Sequence, residues 1–146
     1  MPSSLMFGTD RTELRRFFLE TWRKMQASSP LTPLEDMLAQ VITAHPEYQP
    51  VLNSEEALDR DWLPEAGETN PFLHMALHVA VREHLSTNRP AGIVAAFDAL
   101  CRRLGDTHAA EHAMLECLAE VLWQAQREGR LPDESAYLAC VRARAA

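Results

Sequence analysis

The chain has 146 residues, 47% of them hydrophobic, which suits a single domain built on one core. Asp and Glu number 21 against 14 Lys and Arg, a net charge of −7, so the surface repels phosphate backbones and general nucleic-acid binding is not expected. No stretch approaches ~20 continuous apolar residues, and the opening segment MPSSLMFGTDR lacks the basic region of a secretory signal, so neither a membrane span nor export is expected.

The pattern reads as helices from end to end. Asp10 and Glu13 have capping-box spacing, and Leu14, Phe17, Phe18, Trp22 and Met25 recur at helical intervals, predicting a first helix near 10–27. Its basic residues, Arg11, Arg15, Arg16, Arg23 and Lys24, are diluted by Glu13 and Glu20 and read as a solvated face. After the breaker SSPLTP, Thr32, Pro33 and Glu35 supply a cap, a first-turn proline and a second capping box. Leu34, Met37, Leu38, Val41 and Ile42 form that helix's stripe, and Pro46 ends it near His45. Residues 46–70 hold Pro46, Pro50, Pro64 and Gly67 and read as an irregular acidic connection. Within it, Ser54 is expected to cap a short helix through EEALDR, and Trp62 and Leu63 to tack the connection to the core.

Asn70 and Pro71 start a helix that runs to about Ser86. STNRP breaks it, and the next helix, from about Pro90 to Leu104, carries Ile93, Val94, Phe97, Leu100 and Cys101. Gly105 stops it and Asp106 caps a long helix that continues to Glu128, with Gly129 as its stop. Leu131-Pro132-Asp133 leads into a last helix with Tyr137, Cys140 and Val141. The expectation is an all-α, single-domain bundle of five or six helices. Cys101, Cys117 and Cys140 form no CxxC pair. Their odd number and wide spacing read as small buried hydrophobes in a reducing cytoplasm rather than as a disulfide framework.

One constellation suggests chemistry. His74 and His78 lie four apart in NPFLHMALHVAVREHL, and His112 and Glu116 lie four apart in GDTHAAEHAMLECLAEVLW. Residues four apart share a helix face, so each pair can grip one ion, and two facing pairs supply four ligands. At ~100° per residue, His74 and His78 share a face with Leu77, Val81 and Leu85 and point to the core. His112 and Glu116 lie opposite the main apolar face of their helix, Ala110, Met114, Cys117, Leu118, Val121 and Ala125. A solvated stripe explains that side equally well, except that Leu115, Ala119 and Trp123 lie on it too. His108, Glu120 and His84 are candidate helpers. Imidazole and carboxylate donors suit zinc, iron, manganese or nickel, and an open coordination position would hold a water able to act as a nucleophile. There is no HExxH, glycine-rich phosphate loop or nucleophile elbow.

The segments NPFLHMALHVAVREHLSTNRPAGI and LGDTHAAEHAMLECLAEVLWQAQREGRLPDESAYL resemble the hallmarks of a small proteobacterial family of short cytoplasmic proteins, a domain of unknown function. The resemblance implies a bacterial, cytoplasmic origin and transfers no catalytic residue. More broadly, His/Glu ladders in a helical bundle are similar to those of hemerythrin-like, ferritin-like and DinB-like metal proteins, although the paired ExxH motifs of ferritin-like di-iron sites are missing. The leading expectation is a divalent-metal site formed by His74, His78, His112 and Glu116. The alternatives are a metal-free interaction protein using Trp123 or the acidic segment 55–68 to meet a protein partner or a second copy, and histidines that are simply buried and hydrogen-bonded.

Overall fold

Seven α-helices and one 3-10 turn, with no strand, are found among the residues described by the computed structural model: 11–54, 56–57, 59–60, 62 and 70–146. The helices are α1 (Arg11–Gln26), α2 (Pro33–Ala44), α3 (Gln49–Leu52), α4 (Pro71–Thr87), α5 (Ile93–Leu104), α6 (Thr107–Glu128) and α7 (Glu134–Ala145), and the 3-10 turn is Pro46–Tyr48. The all-α class is therefore as the sequence predicts. The count is higher than five or six because a single helical turn, α3, follows the 3-10 turn in the stretch read as irregular. The Asp10 cap, Leu63 and most of the acidic segment 55–68 lie outside the described residues. The chain forms two compact units, residues 1–79 and 80–146.

In the first unit, α2 starts where the sequence places it. The Thr32 hydroxyl accepts from the Glu35 backbone N–H at 3.2 Å, and the Glu35 carboxylate accepts from the Thr32 N–H at 2.9 Å. Lys24 Nζ also donates to Glu35, at 2.9 and 3.1 Å, which ties the end of α1 to the start of α2. The core joins Phe18 of α1, Leu38, Val41 and Ile42 of α2, Leu52 of α3 and Phe72, Met75 and Val79 of α4. Burying each of these side chains contributes roughly 1.5–3 kcal/mol.

Trp62 does tack the connection down. Its ring meets Phe72 edge-on at 5.8 Å, and the Arg15 guanidinium lies 5.0 Å from the Trp62 centroid and 5.1 Å from that of Phe72. Arg15 is buried, and its Nη1 donates to the carbonyls of Ala57 and Arg60 at 3.1 and 2.8 Å. Those bonds satisfy a buried cation with backbone carbonyls. The Asn70 side chain then caps α4 by accepting from the N–H groups of Phe72 and Leu73.

In the second unit, α5, α6 and α7 pack against one another. Helix α5 begins at Ile93 and not at Pro90. Asn88 is left-handed (φ 52°), Arg89-Pro90 is a cis peptide, and Gly92 takes φ 98° before the helix starts. Gly92 holds the N-cap position, and the Asn88 side chain, two residues before the proline read as the start, accepts from the Val94 N–H in the first turn at 3.1 Å. A Cβ at Gly92 would come within 3.0 Å of Arg142 Nη2, in a backbone region that disfavours side chains anyway. Asp106 caps α6, Gly129 ends it, and Asp133 caps α7.

The cysteine expectation is corrected here. Cys117 of α6 and Cys140 of α7 are joined by a disulfide, with Cα atoms 5.8 Å apart, and Cys101 remains a free, half-buried thiol. The two cysteines are 23 residues apart and are brought together only by the packing of α6 on α7, which spacing along the chain does not reveal. Cysteine usage therefore no longer argues for a reducing compartment. Among the described residues, no helix is long and apolar enough to cross a membrane.

Candidate metal centre

Helix α4 brings His74 and His78 together as predicted. Their Nε2 atoms are 3.1 Å apart and their rings meet edge-on at 4.7 Å. His78 is fully buried and His74 half-buried. Two imidazole nitrogens on one tetrahedral ion, each ~2.0–2.1 Å from it, stand ~3.3 Å apart. The two rings thus already have the separation of neighbouring ligands.

The sequence reading missed the third histidine of this unit. His45 closes α2, turns its ring onto the pair and is 4% exposed. Its centroid is 4.5 Å from that of His78 and 5.2 Å from that of His74. One candidate ligand atom from each of His45, His74 and His78 lies within 4.8 Å of the others.

His45 is also oriented as ligands usually are. Its Nδ1 lies 2.8 Å from the carbonyl of Val41. A carbonyl only accepts, so Nδ1 donates there, and in the tautomer this selects the lone pair falls on the buried Nε2. Ligating histidines characteristically fix their second nitrogen in this way.

The local fold explains why the ring is there. His45 is four residues after Val41 and seven after Leu38, so it extends the buried stripe of α2 by one turn. Pro46 stops the helix and starts the 3-10 turn that stacks Tyr48 on His45, with centroids 5.8 Å apart and planes 10° apart. Tyr48 also meets His74 edge-on at 5.8 Å. Burial, with the charge of Glu47 adding to it, pushes the Tyr48 phenol above its usual range and keeps it neutral. A polar residue continuing an apolar stripe was the signal available in the sequence.

The remaining sequence-predicted residues belong to the second unit. His112 is half-buried on α6, and its Nδ1 faces the His108 carbonyl at 3.3 Å, so its Nε2 likewise carries the lone pair. The His108 and His112 rings meet edge-on at 4.4 Å. Glu116 is exposed and accepts a hydrogen bond from Arg144 of α7. Glu120 is exposed, beside the disulfide. His84 is buried, with Nδ1 3.2 Å from the Tyr137 hydroxyl, and burial pushes its pKa down.

No curated protein and no solved structure matches the chain. The family model described as "Domain of unknown function (DUF1841)" matches residues 10–143, and the chain belongs to that family.

Proposed function

We propose that this protein binds a divalent transition metal through His45, His74 and His78. The observation that carries the reading is the approach of the His74 and His78 Nε2 atoms to 3.1 Å beside a third imidazole whose Nδ1 is committed to a backbone carbonyl. Neutral nitrogen donors favour zinc, iron or nickel over manganese, which prefers oxygen ligands. His112 enters as a fourth ligand on the strength of the sequence ladders. With it the donor set is that of a closed structural site. Without it, three protein nitrogens leave a position for water or substrate, the composition of a catalytic site. Glu116 is the weaker candidate because its carboxylate already serves Arg144.

Elemental mass spectrometry on untagged protein, prepared without chelator, tests the reading. About one metal per chain is expected, lost in His45→Ala and in His78→Ala. In His112→Ala, metal content and small-anion affinity both unchanged from the parent mark a site that is open without His112, whereas lost metal, or anion affinity that the parent lacks, marks His112 as the fourth ligand. A metal-free parent that gains no thermal stability from added zinc, iron or nickel overturns the proposal.

A second reading, a metal-free interaction protein, is favoured by one observation. Trp123 is 53% exposed, with the Arg127 guanidinium 4.6 Å from its centroid, and large exposed aromatics are enriched in protein interfaces. A metal-free parent whose self-association or partner binding is lost in Trp123→Ala would favour this reading over the first.

A further inference from the structure

The disulfide of the second unit is not sealed in the packing between α6 and α7. A cavity of about 350 Å³ has both Cys117 and Cys140 in its wall, with Glu120, Gln124, Arg130 and Asp133 around them. That volume falls within the range of small-molecule sites. The two cysteines are not equivalent. Cys117 is fully buried, whereas Cys140 is half-buried, so Cys140 is the more accessible residue of the pair.

The charged groups at the cavity are two carboxylates, Glu120 and Asp133, and one guanidinium, Arg130. Asp133 is held by capping the Ala136 N–H at 3.0 Å. Arg130 Nε donates to Glu128 at 2.7 Å, which leaves the terminal N–H groups of its five-donor fork for an anion. This arrangement attracts a positive group and provides one partner for a single carboxylate. It repels a thiol whose only charged groups are negative.

We infer that this cavity is a thiol–disulfide exchange site for a low-molecular-weight amino-thiol. The ammonium group faces Glu120 and Asp133, and a carboxylate, where the thiol carries one, faces Arg130. The thiolate attacks Cys140 Sγ, forming a new S–S bond between ligand and protein. The Cys117–Cys140 bond breaks, and Cys117 leaves as a thiolate that takes a proton from water. This first step conserves the number of disulfides. A second thiol molecule can then attack the ligand sulfur, releasing the ligand as its disulfide and leaving Cys140 reduced, so that both electrons come from the thiols. The inference stands apart from the metal proposal, because it concerns other residues and a different readout.

The test uses the full chain with Cys101→Ser, so that no internal thiol competes. Native protein is treated with cysteamine, cysteine or 3-mercaptopropionate, and intact-mass and peptide mapping follow the adducts. Each rate is divided by that thiol's rate with a small unstructured disulfide, which removes differences in intrinsic reactivity. A mixed disulfide on Cys140 is expected, with cysteamine and cysteine favoured over 3-mercaptopropionate by about threefold to tenfold. Glu120→Lys, a change at an exposed position, is expected to abolish or invert that preference. Three results overturn the inference: no adduct on native protein when the unfolded chain reacts, equal normalised rates for all three thiols, or three free thiols in parent protein purified without reductant.

Discussion

What separates a ligand histidine from a packed one is the fate of its second nitrogen. His45 and His112 each direct Nδ1 at a carbonyl four residues back, which presents Nε2 as a lone pair. His84 does something else. Its Nδ1 faces the Tyr137 hydroxyl, and the two rings meet at 5.4 Å and 62°. Burial lowers its pKa and Arg89 adds to that, while Glu134 opposes it. A histidine whose pKa is lower in the folded than in the unfolded chain takes up its proton more readily when unfolded. Its stabilisation is therefore fully present above the unfolded value, near 6.5, and is lost as pH falls from there through the folded value. His84→Phe, which keeps an aromatic ring without the titration, is expected to lose less stability than the parent between about pH 7.5 and about pH 5, measured by urea denaturation. An equal loss in both proteins would assign the acid sensitivity to other groups.

Helix starts were legible in the sequence where the residue directly before the helix caps it with its own side chain, and not at α5, where the N-cap is Gly92. Thr32, Asn70 and Asp106 all cap as their positions suggest, because a short polar side chain beside a helix start has few competing roles, and Asp133, read only as leading into the last helix, caps it too. The cap of α2 also bears on the candidate site, since α2 carries Val41, the acceptor that orients His45. Thr32→Ala is expected to destabilise the protein by about 1 kcal/mol and to weaken metal binding modestly, without changing stoichiometry. Denaturation and metal titration check the two effects separately. Elements set by tertiary contact were not legible. Helix α3 is four residues long and contains Pro50, too short for a period to emerge. His45 was read only as the end of a helix, because Pro46 explained it sufficiently, and its role depends on α4 delivering His74 and His78 beside it. Likewise, Cys117 and Cys140 look like any buried cysteines until α6 and α7 pack together. The ladder rule found the pair that lies within one helix and missed the partner that comes from another.

At the scale of the whole chain, the two candidate chemistries make different demands on the fold. A metal held by His45, His74 and His78 adds stability only in the folded state, since the unfolded chain does not gather three imidazoles from two helices. The disulfide acts on the other side of the equilibrium. Closing a loop of 23 residues restricts the unfolded chain, an effect of roughly 3 kcal/mol in the chain-entropy account. Hydrogen exchange followed by peptide mass spectrometry distinguishes them within one sample. Added metal is expected to slow exchange over the end of α2, the 3-10 turn and the first two turns of α4. Protection that also reaches residues 108–116 of α6 would add His112 to the ligand set. Thiol reduction is expected to speed exchange in α6 and α7, where the covalent link is lost, and Cys117→Ser/Cys140→Ser should reproduce that pattern without reductant. Metal-induced protection spread evenly over all peptides would argue against a localised site. Reduction that leaves α6 and α7 unchanged would mean that the packing of Leu118, Val121, Tyr137 and Val141 holds those helices without the sulfur bridge.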